Sequence, residues 1–438
     1  LLNEFSLRGI ITRYCDFLPY PIYLNNQQVN KQTPLWVKNP NQVTEQEYKD
    51  FFKSLFPFSE EPLFWVHLNV DFPFKLQGIL YFPKITHELD ASQGKVFLYC
   101  NQVFVAENCK EIIPEYLLLL KVAIDCPDIP LNVSRSALQN DPTIKKISEH
   151  ITKKISDRLT ALYKTQYDRF IELWPDINPF IKFGMMKDQK FYEKMKETII
   201  YRTTFKDKDD TDNKKQFTTL SQYIERSKTK DGEKKNIYYA SDATLQGQYI
   251  RLYQEQDIEV LILDSVLDTH FINYTEMQEK DIHFQRVDAD VTSNLVQENA
   301  KRLTDSDNKT SHDYLKEMFE KSLSRKGLTI RVEEFRTSGI PAMIIIPEFQ
   351  RRMKQMSMFM GSQKNSTEQE HTLVVNSSHA ISQNILKLIK EQEKENTIKI
   401  ICEQVYDLAL LAQKEIIPEG IETFLSRSAK ILEQFSLL

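Results

Sequence analysis

The feature that most constrains the fold is a run of apolar residues at helical spacing near the middle of the chain. Asp141 is a favourable N-cap residue, and Pro142 suits the first position of a helix. Apolar side chains then recur every three or four positions: Ile144, Ile147, Ile151, Ile155, Leu159 and Leu162. This spacing predicts one long helix with a single apolar stripe, as in a helix that packs on a core.

On both sides of this helix, strand and helix patterns alternate. Strand composition is found at 21–24, 64–70, 78–82, 96–99, 102–106, 330–335 and 342–346. Helical patterns are found at 45–52, 187–201, 313–324, 349–360, 380–392, 397–413 and 420–435. Residues 237–263 read as a strand, a helix and a buried strand, which predicts a small unit with parallel strands. The charged run 206–215 is interpreted as a boundary before that unit.

Composition limits the class of protein. The 438 residues have a net charge of -5 and are 41% hydrophobic, which suits several soluble domains and no basic nucleic-acid surface. No apolar stretch is long enough to span a bilayer, so no membrane partner is expected. The five cysteines are scattered without a Cys-x-x-Cys pair, which favours buried thiols in a reducing cytoplasm.

Glycine is scarce, and its positions exclude a class of binding site. None of the 10 glycines forms a Gly-x-Gly pair, so neither a Walker loop nor a dinucleotide fingerprint can be assembled. The eight histidines are dispersed, and no Gly-x-Ser-x-Gly elbow occurs. We therefore expect no metal site and no self-contained hydrolase. If the protein uses a nucleotide, its main binding cradle lies elsewhere.

Residues 97–141 contain the most informative loop. The pattern predicts a hairpin, then an apolar helix, then the loop PLNVSR at 130–135, and finally the long helix. A loop arginine between packed elements can be presented rigidly to a partner, and its planar guanidinium suits phosphate oxygens. The alternative is an ordinary surface arginine, and spacing alone does not exclude it.

Several motifs resemble the heat-shock protein 90 chaperone family. They occur in family order along nearly the whole chain: PLWVKNP at 34–40, DIPLNVSR at 128–135, GMMKDQKFYEK at 184–194, NIYYASDA at 236–243 and HTLVVNSSHAI at 371–381. Each motif is short, but the ordered set is specific. The chain is similar to the middle and C-terminal portion of such chaperones, and it resembles bacterial members in its short linker.

The resemblance implies a fold of α/β and α+β domains. An α/β/α middle domain with large and small sub-domains would precede an α+β dimerisation domain that ends in helices. The implied divisions are 1–24 as the end of a nucleotide-binding domain, 25–33 as a linker, 34–205 and 206–310 as the two middle sub-domains, and 311–438 as the dimerisation domain. We therefore expect the nucleotide-binding part to precede Leu1, and this chain alone to be inactive as an ATPase.

The resemblance also implies roles for three loop residues. Arg135 matches the arginine that reaches the γ-phosphate of ATP, Gln139 the glutamine of the same loop, and Asn132 the asparagine that shapes it. ATP and Mg²⁺ would be bound by the N-terminal domain. The expected function is an ATP-driven dimeric clamp, active in the stress response, that binds non-native client proteins and works with other chaperones. The alternative is a scaffold or adaptor that needs no nucleotide.

Expected client contacts come from three places. Trp36 matches a tryptophan implicated in client binding, with a packed core residue as the alternative. His270 stands where some bacterial relatives carry a tryptophan, and this departure puts its role in doubt. A methionine-rich helix would offer clients a deformable apolar face, formed by Met353, Met356 and Met360. The alternative is that these methionines form a buried stripe.

The last two helices predict a dimer interface. Apolar residues recur at helical spacing on both: Ile398, Ile401, Val405, Leu408, Ile421, Leu425 and Ile431. Two such helices at a chain end can form a four-helix bundle with a two-fold mate. Packing within one subunit is the alternative, and the family resemblance favours the dimer.

Overall fold

The computed structural model is a mixed α/β protein that divides into two compact units, Leu1–Ile199 and Ile200–Leu438. It describes residues 3–84, 94–107, 113–129, 142–205, 216–227, 234–289, 296, 309–336, 339–347, 350, 352, 371–390, 395–413 and 418–436.

The described residues form the following helices. In the first unit they are α1 (Glu4–Cys15), α2 (Glu45–Leu55), α3 (Pro142–Thr165), α4 (Tyr167–Lys187) and α5 (Gln189–Met195). In the second unit they are α6 (Leu220–Arg226), α7 (Gly247–Gln254), α8 (Asp268–Gln278), α9 (Ser311–Leu323), α10 (Ala380–Lys390), α11 (Glu395–Leu411) and α12 (Pro418–Phe435). Short 3₁₀ helices occupy Leu35–Val37, Pro40–Gln42 and Glu115–Leu119.

The described strands form one two-stranded pair and three larger sheets. In the first unit they are β1 (Tyr23–Leu24), β2 (Gln27–Gln28), β3 (Phe64–Val70), β4 (Leu76–Phe82), β5 (Lys95–Cys100), β6 (Val103–Glu107) and β7 (Lys121–Asp125). In the second they are β8 (Tyr201–Thr203), β9 (Phe217–Thr218), β10 (Lys235–Ala240), β11 (Leu261–Ile262), β12 (Ile282–Arg286), β13 (Leu328–Glu333), β14 (Ala342–Ile345) and β15 (His371–Asn376).

The main sheet of the first unit has β7 at its centre. Its strand order is β3-β4-β7-β5-β6, with β7 antiparallel to β4 and parallel to β5. The prediction of an apolar helix before residue 130 was wrong, because β7 lies there and, of the described residues between β6 and β7, Glu115–Leu119 alone are helical. Val122, Ala123 and Ile124 are buried in succession, as expected of a strand covered on both faces.

Helix α3 confirms the apolar stripe, because all six of its predicted apolar residues are buried. Helix α4, which follows it, was missed because it contains Pro175 and Pro179. A proline at 179 removes the amide that would bond the carbonyl of Pro175. The Asn178 side-chain amide donates to that carbonyl instead, at 3.1 Å, which keeps the helix continuous.

The sheet after residue 199 has the order β12-β10-β11-β8-β9. Strand β10 pairs in parallel with both β11 and β12, which confirms the predicted strand–helix–strand unit. The predicted helix 187–201 was too long: α5 ends at Met195, and β8 already belongs to this sheet. The boundary between the two compact units thus falls before β8, a few residues ahead of the sequence-based division at 205.

The C-terminal part has a smaller sheet of order β13-β15-β14. Strand β15 was not assigned from sequence, although its residues belong to one of the family motifs. Its buried Leu373 and Val375 pack in one core with residues of α9, α10 and α11. The mixed α/β class is confirmed in this coarse form, whereas the five-part division remains a prediction.

Two properties concern the described residues as a whole. None of the helices in these ranges combines the length and the apolar character needed to cross a bilayer. The same ranges contain no group of side chains arranged to hold a metal ion.

Candidate functional site

The predicted loop residues Asn132, Arg135 and Gln139 lie outside the described residues, but the structure defines what holds the two ends of their segment. Strand β7, the central strand of the first sheet, leads into 130–141, and α3 begins directly after it. We call β7, residues 126–129 and α3 the loop frame. Its order and packing determine where the segment begins and ends.

Asp125, the last residue of β7, bonds the strand side of the loop frame to the neighbouring hairpin. Its buried carboxylate accepts a hydrogen bond from the backbone N–H of Gln102 at 2.8 Å. Burial raises the pKa of Asp125, while this hydrogen bond and the Trp36 indole act in the opposite direction. Asn101 and Gln102 have φ values of 49° and 66°, so the carboxylate holds a tight left-handed turn of the hairpin between β5 and β6.

Residues 126–129 are also tied to their neighbours. The Cys126 N–H donates to the carbonyl of Tyr99 at 3.0 Å. The Asp128 carboxylate accepts from the N–H of Lys75 at 2.7 Å. Ile129, which precedes the undescribed segment, is buried. The chain is therefore fixed up to the last residue before 130.

On the other side of the segment, α3 is fixed by its buried stripe and by a polar contact. The hydroxyl groups of Tyr116 and Thr152 lie 2.8 Å apart in the core, where either can donate. Tyr116 belongs to the 3₁₀ helix before β7, so this bond joins the chain on one side of the segment to the helix on the other. Both ends of 130–141 thus start from one packed body.

Trp36 lies in an aromatic cluster of the first unit and is fully buried. The rings of Phe17, Phe51 and Tyr99 surround it at centroid distances of 5.1, 5.7 and 4.9 Å. A client protein cannot touch the indole in this conformation. The packed-core alternative describes the position of Trp36.

His67 connects the backbone of Trp36 to helix α2. Its Nδ1 lies 2.7 Å from the Tyr48 hydroxyl, and its Nε2 lies 3.1 Å from the Trp36 carbonyl. Because a carbonyl only accepts, Nε2 carries the proton and donates, and Nδ1 accepts from Tyr48. Burial lowers the pKa of His67, so the neutral imidazole that this chain of bonds requires is the favoured form.

His270 lies half-buried on α8, in the second unit. Val266, in the turn just before α8, and Met277, near the end of α8, expose 56% and 73% of their surface. Sequence analysis missed both. We call Val266, His270 and Met277 the α8 surface.

Arg352 is tied to the same helix. Its guanidinium donates to Glu276 at 2.8 Å and to the carbonyl of Phe284 at 2.9 Å. Burial alone would raise the pKa of Glu276, but hydrogen bonds from His283, Arg352 and the Phe284 N–H outweigh it and hold the pKa at about 2. Met353, Met356 and Met360 lie outside the described residues, yet the residue directly before them is anchored beside α8.

The predicted dimer residues divide into two groups. Ile398 and Val405 are buried in the core of their own subunit, and Ile401 packs partly against it. Leu408, Ile421 and Leu425 expose 43%, 40% and 59% of their surface, and Ile431 is half-buried. Leu432, which sequence analysis missed, is 69% exposed. We call Leu408, Ile421, Leu425 and Leu432 the exposed stripe.

Polar contacts hold α12 on α11. The Arg427 side chain is only 10% exposed and pairs with Asp407 at 2.8 Å and with Glu403 at 3.3 Å. The Gln404 amide donates to the Ser428 hydroxyl at 2.8 Å. While these contacts occupy the inner side of α12, Ile421, Leu425 and Leu432 remain exposed on its outer side.

Comparison with known proteins supports the family suggested by the motifs. The family model described as Hsp90 protein matches residues 23–436. The protein named Chaperone protein HtpG from Porphyromonas gingivalis is 37% identical over 417 residues, covering 89% of this chain and 59% of that protein. A relative of the same name from Bacteroides fragilis is 35% identical over 415 residues, covering 90% and 59%. HtpG of Desulfitobacterium hafniense is 26% identical over 441 residues, covering 98% and 68%.

The chain belongs to the Hsp90 family, as the ordered motifs predicted. It spans 59% of the length of the first two relatives. These relatives are named as chaperones.

The bonding of His67 predicts that the first unit loses stability in mild acid. The unfolded imidazole takes up a proton near its ordinary pKa of 6.5, whereas the folded one does so only at lower pH. Stability is therefore complete above that value and declines as the pH falls below it. His67→Gln retains a donor for the Trp36 carbonyl but cannot titrate, so its free energy of unfolding should fall less between about pH 7 and about pH 5.

The measurement is urea unfolding at several pH values, followed by tryptophan fluorescence. All three tryptophans, Trp36, Trp65 and Trp174, lie in the first unit and report on its unfolding alone. An equal decline with pH in the variant and the parent would contradict the proposed bonding of His67.

Proposed function

We propose that this chain is the middle and C-terminal part of an ATP-driven dimeric chaperone that binds partly folded client proteins. The observation that carries the proposal is membership of the Hsp90 family. The loop frame supports it, because packed elements hold the chain on both sides of the segment that contains Arg135. The relatives that are named as chaperones support the general function. Action in the cytoplasm, in the stress response and alongside other chaperones belongs to the same proposal.

In this proposal Arg135 completes an ATP site that another domain provides. The chain has no glycine cradle of its own, which agrees with a contribution from a single guanidinium. A permanently charged, planar group can neutralise charge on the γ-phosphate. Gln139 and Asn132 would shape the loop. Mg²⁺-bound ATP would supply the free energy for the conformational cycle when held by the N-terminal domain.

Arg135→Ala tests this role in the protein joined to its nucleotide-binding domain. Turnover of ATP should fall by roughly tenfold to 10³-fold, because cross-domain arginines act on the transferred phosphoryl group. Nucleotide affinity should change little, since the binding cradle lies in the other domain. The measurement is steady-state phosphate release together with nucleotide titration.

Arg158→Ala provides the matched control. Arg158 is an exposed arginine of α3, so its removal makes the same chemical change outside the loop. It should leave turnover unchanged. If Arg135→Ala also left turnover unchanged, Arg135 would have no catalytic role, and the scaffold alternative would gain support.

We further propose that the exposed stripe forms the dimer interface. Leu408 on α11 and Ile421, Leu425 and Leu432 on α12 could pack against the same residues of a two-fold mate in a four-helix bundle. Ile398 and Val405 would then contribute indirectly, by fixing α11 on its own subunit. The continuous exposure of large apolar side chains on paired helices supports this assignment.

Leu425→Asp tests the interface. An unpaired carboxylate buried between subunits costs on the order of 3 kcal/mol, so the dimer dissociation constant should rise about a hundredfold or more. Ser426→Asp adds the same charge at an exposed neighbouring position about a quarter-turn away and should have little effect. Sedimentation velocity across a concentration series measures both.

Both variants should keep the helical circular dichroism of the parent, because Leu425 and Ser426 are exposed in the subunit. A parent chain that sediments as a monomer at micromolar concentration would refute the interface. So would a Leu425→Asp variant that dimerises as tightly as the parent.

Client binding is proposed for the α8 surface, which Val266, His270 and Met277 form, and for Met353, Met356 and Met360, which follow Arg352 in the sequence. Exposed apolar side chains and flexible methionines suit a surface that accepts many sequences. Arg352 supports the pairing because it directly precedes Met353 and donates to Glu276 of α8. The proposal does not extend to Trp36, whose indole is buried.

A further inference from the structure

An open cleft lies in the first unit between α3, α5 and the chain before β4. Its volume is about 360 Å³, which is at the lower end of the range of small-molecule sites. None of the residues of the exposed stripe or of the α8 surface lines this cleft. Its lining separates into an apolar floor and a charged rim.

The floor is formed by Pro73, Phe74 and His150. Phe74 is buried, and its ring meets the His150 imidazole edge to face at 5.7 Å. The Nε2 atom of His150 is buried and has no hydrogen-bond partner among the described residues. Burial, with help from Lys154 and Lys153, lowers the pKa of His150, so the ring is neutral. The floor thus consists of the exposed Pro73 beside the largely buried Phe74, with one unsatisfied polar atom.

The rim is predominantly basic. Lys146 and Lys153 lie on α3, and Lys190 and Lys194 lie on α5. Lys146 and Lys153 form no ion pair with any carboxylate that the structure describes. Their spacing of seven residues places both on the same side of α3.

Two carboxylates also line the cleft, but both are engaged. Glu149 accepts from the Lys190 ammonium at 2.9 Å. Asp188 caps α5 by accepting from the backbone N–H groups of Lys190 and Phe191 at 2.8 and 3.1 Å. Four lysines against two carboxylates leave the rim with net positive charge. An uncharged apolar ligand would use the floor and leave this charge without a partner.

We propose that this cleft binds a small amphipathic anion, one with a flat apolar group and a single phosphate or carboxylate. The apolar group would lie on Pro73 and Phe74. The anionic group would face the ammonium groups of Lys146 and Lys153. This site is independent of the proposed chaperone cycle, and its failure would leave that proposal untouched.

The experiment is calorimetric titration of the full chain with 1-naphthyl phosphate, which combines both chemical features. Saturable binding with one site per chain is expected, with a dissociation constant below about 1 mM. Inorganic phosphate and 1-naphthol each lack one feature and should bind at least roughly tenfold more weakly. Equal binding of either one would overturn the proposal, as would the absence of saturable binding of 1-naphthyl phosphate.

A pair of charge-matched variants locates the site. Lys146→Glu with Lys153→Glu reverses two rim charges and should weaken binding by roughly tenfold or more. Lys145→Glu with Lys154→Glu makes the same change in net charge at adjacent exposed positions of α3 that do not line the cleft. It should change affinity by less than about threefold. Equal weakening by the two pairs would show a general charge effect only and would overturn the assignment to this cleft.

Discussion

Burial of β7 on both faces is the constraint on which the first unit depends. Its apolar residues fill the space between the aromatic cluster around Trp36 and the elements on the opposite side of the sheet. Because β7 is buried, the polar groups at its end need hydrogen-bond partners within the protein. Asp125 meets that need by bonding the hairpin turn at Gln102, and Asp128 does so at Lys75. The segment 130–141 therefore departs from a fixed point.

Helix α12 follows a different physical rule, because its polar contacts with α11 face inward while Ile421, Leu425 and Leu432 face outward. A buried arginine is tolerated when its hydrogen bonds and charge are both matched. Arg427 achieves this between Asp407 and Glu403, and so orients α12 without consuming its apolar side chains. A single-subunit fold would gain by turning Leu425 and Leu432 inward. Their exposure is understandable when a second subunit covers them.

Sequence reasoning succeeded where one pattern of apolar residues was long enough to exclude the other type of secondary structure. The stripe of α3 and the parallel unit around β10 were predicted in type and nearly in extent. It failed at β7, since an apolar run of a few residues suits a buried strand and a buried helix equally well. It failed at α4 because Pro175 and Pro179 argue against a helix, and the compensating bond from Asn178 is visible only in three dimensions.

The site predictions depended more heavily on family resemblance than on pattern. The sequence around Trp36 does not show whether its side chain is buried or exposed, since an apolar motif is compatible with both. Likewise, helical spacing placed Ile398 and Leu425 in one class, although one is buried in its own subunit and the other is exposed. Spacing identifies the faces of a helix, but only packing shows which face remains open.

Family membership and the loop frame together lead to one central claim, that residues 130–141 meet the γ-phosphate of a nucleotide held by another domain. Photo-cross-linking tests it most directly, with an ATP analogue that carries an aryl azide on its γ-phosphate. In the protein joined to its nucleotide-binding domain, peptide mass spectrometry should find the label within 130–141, and excess ATP should abolish it. Labelling confined to the nucleotide-binding domain, or unchanged by ATP, would contradict the claim.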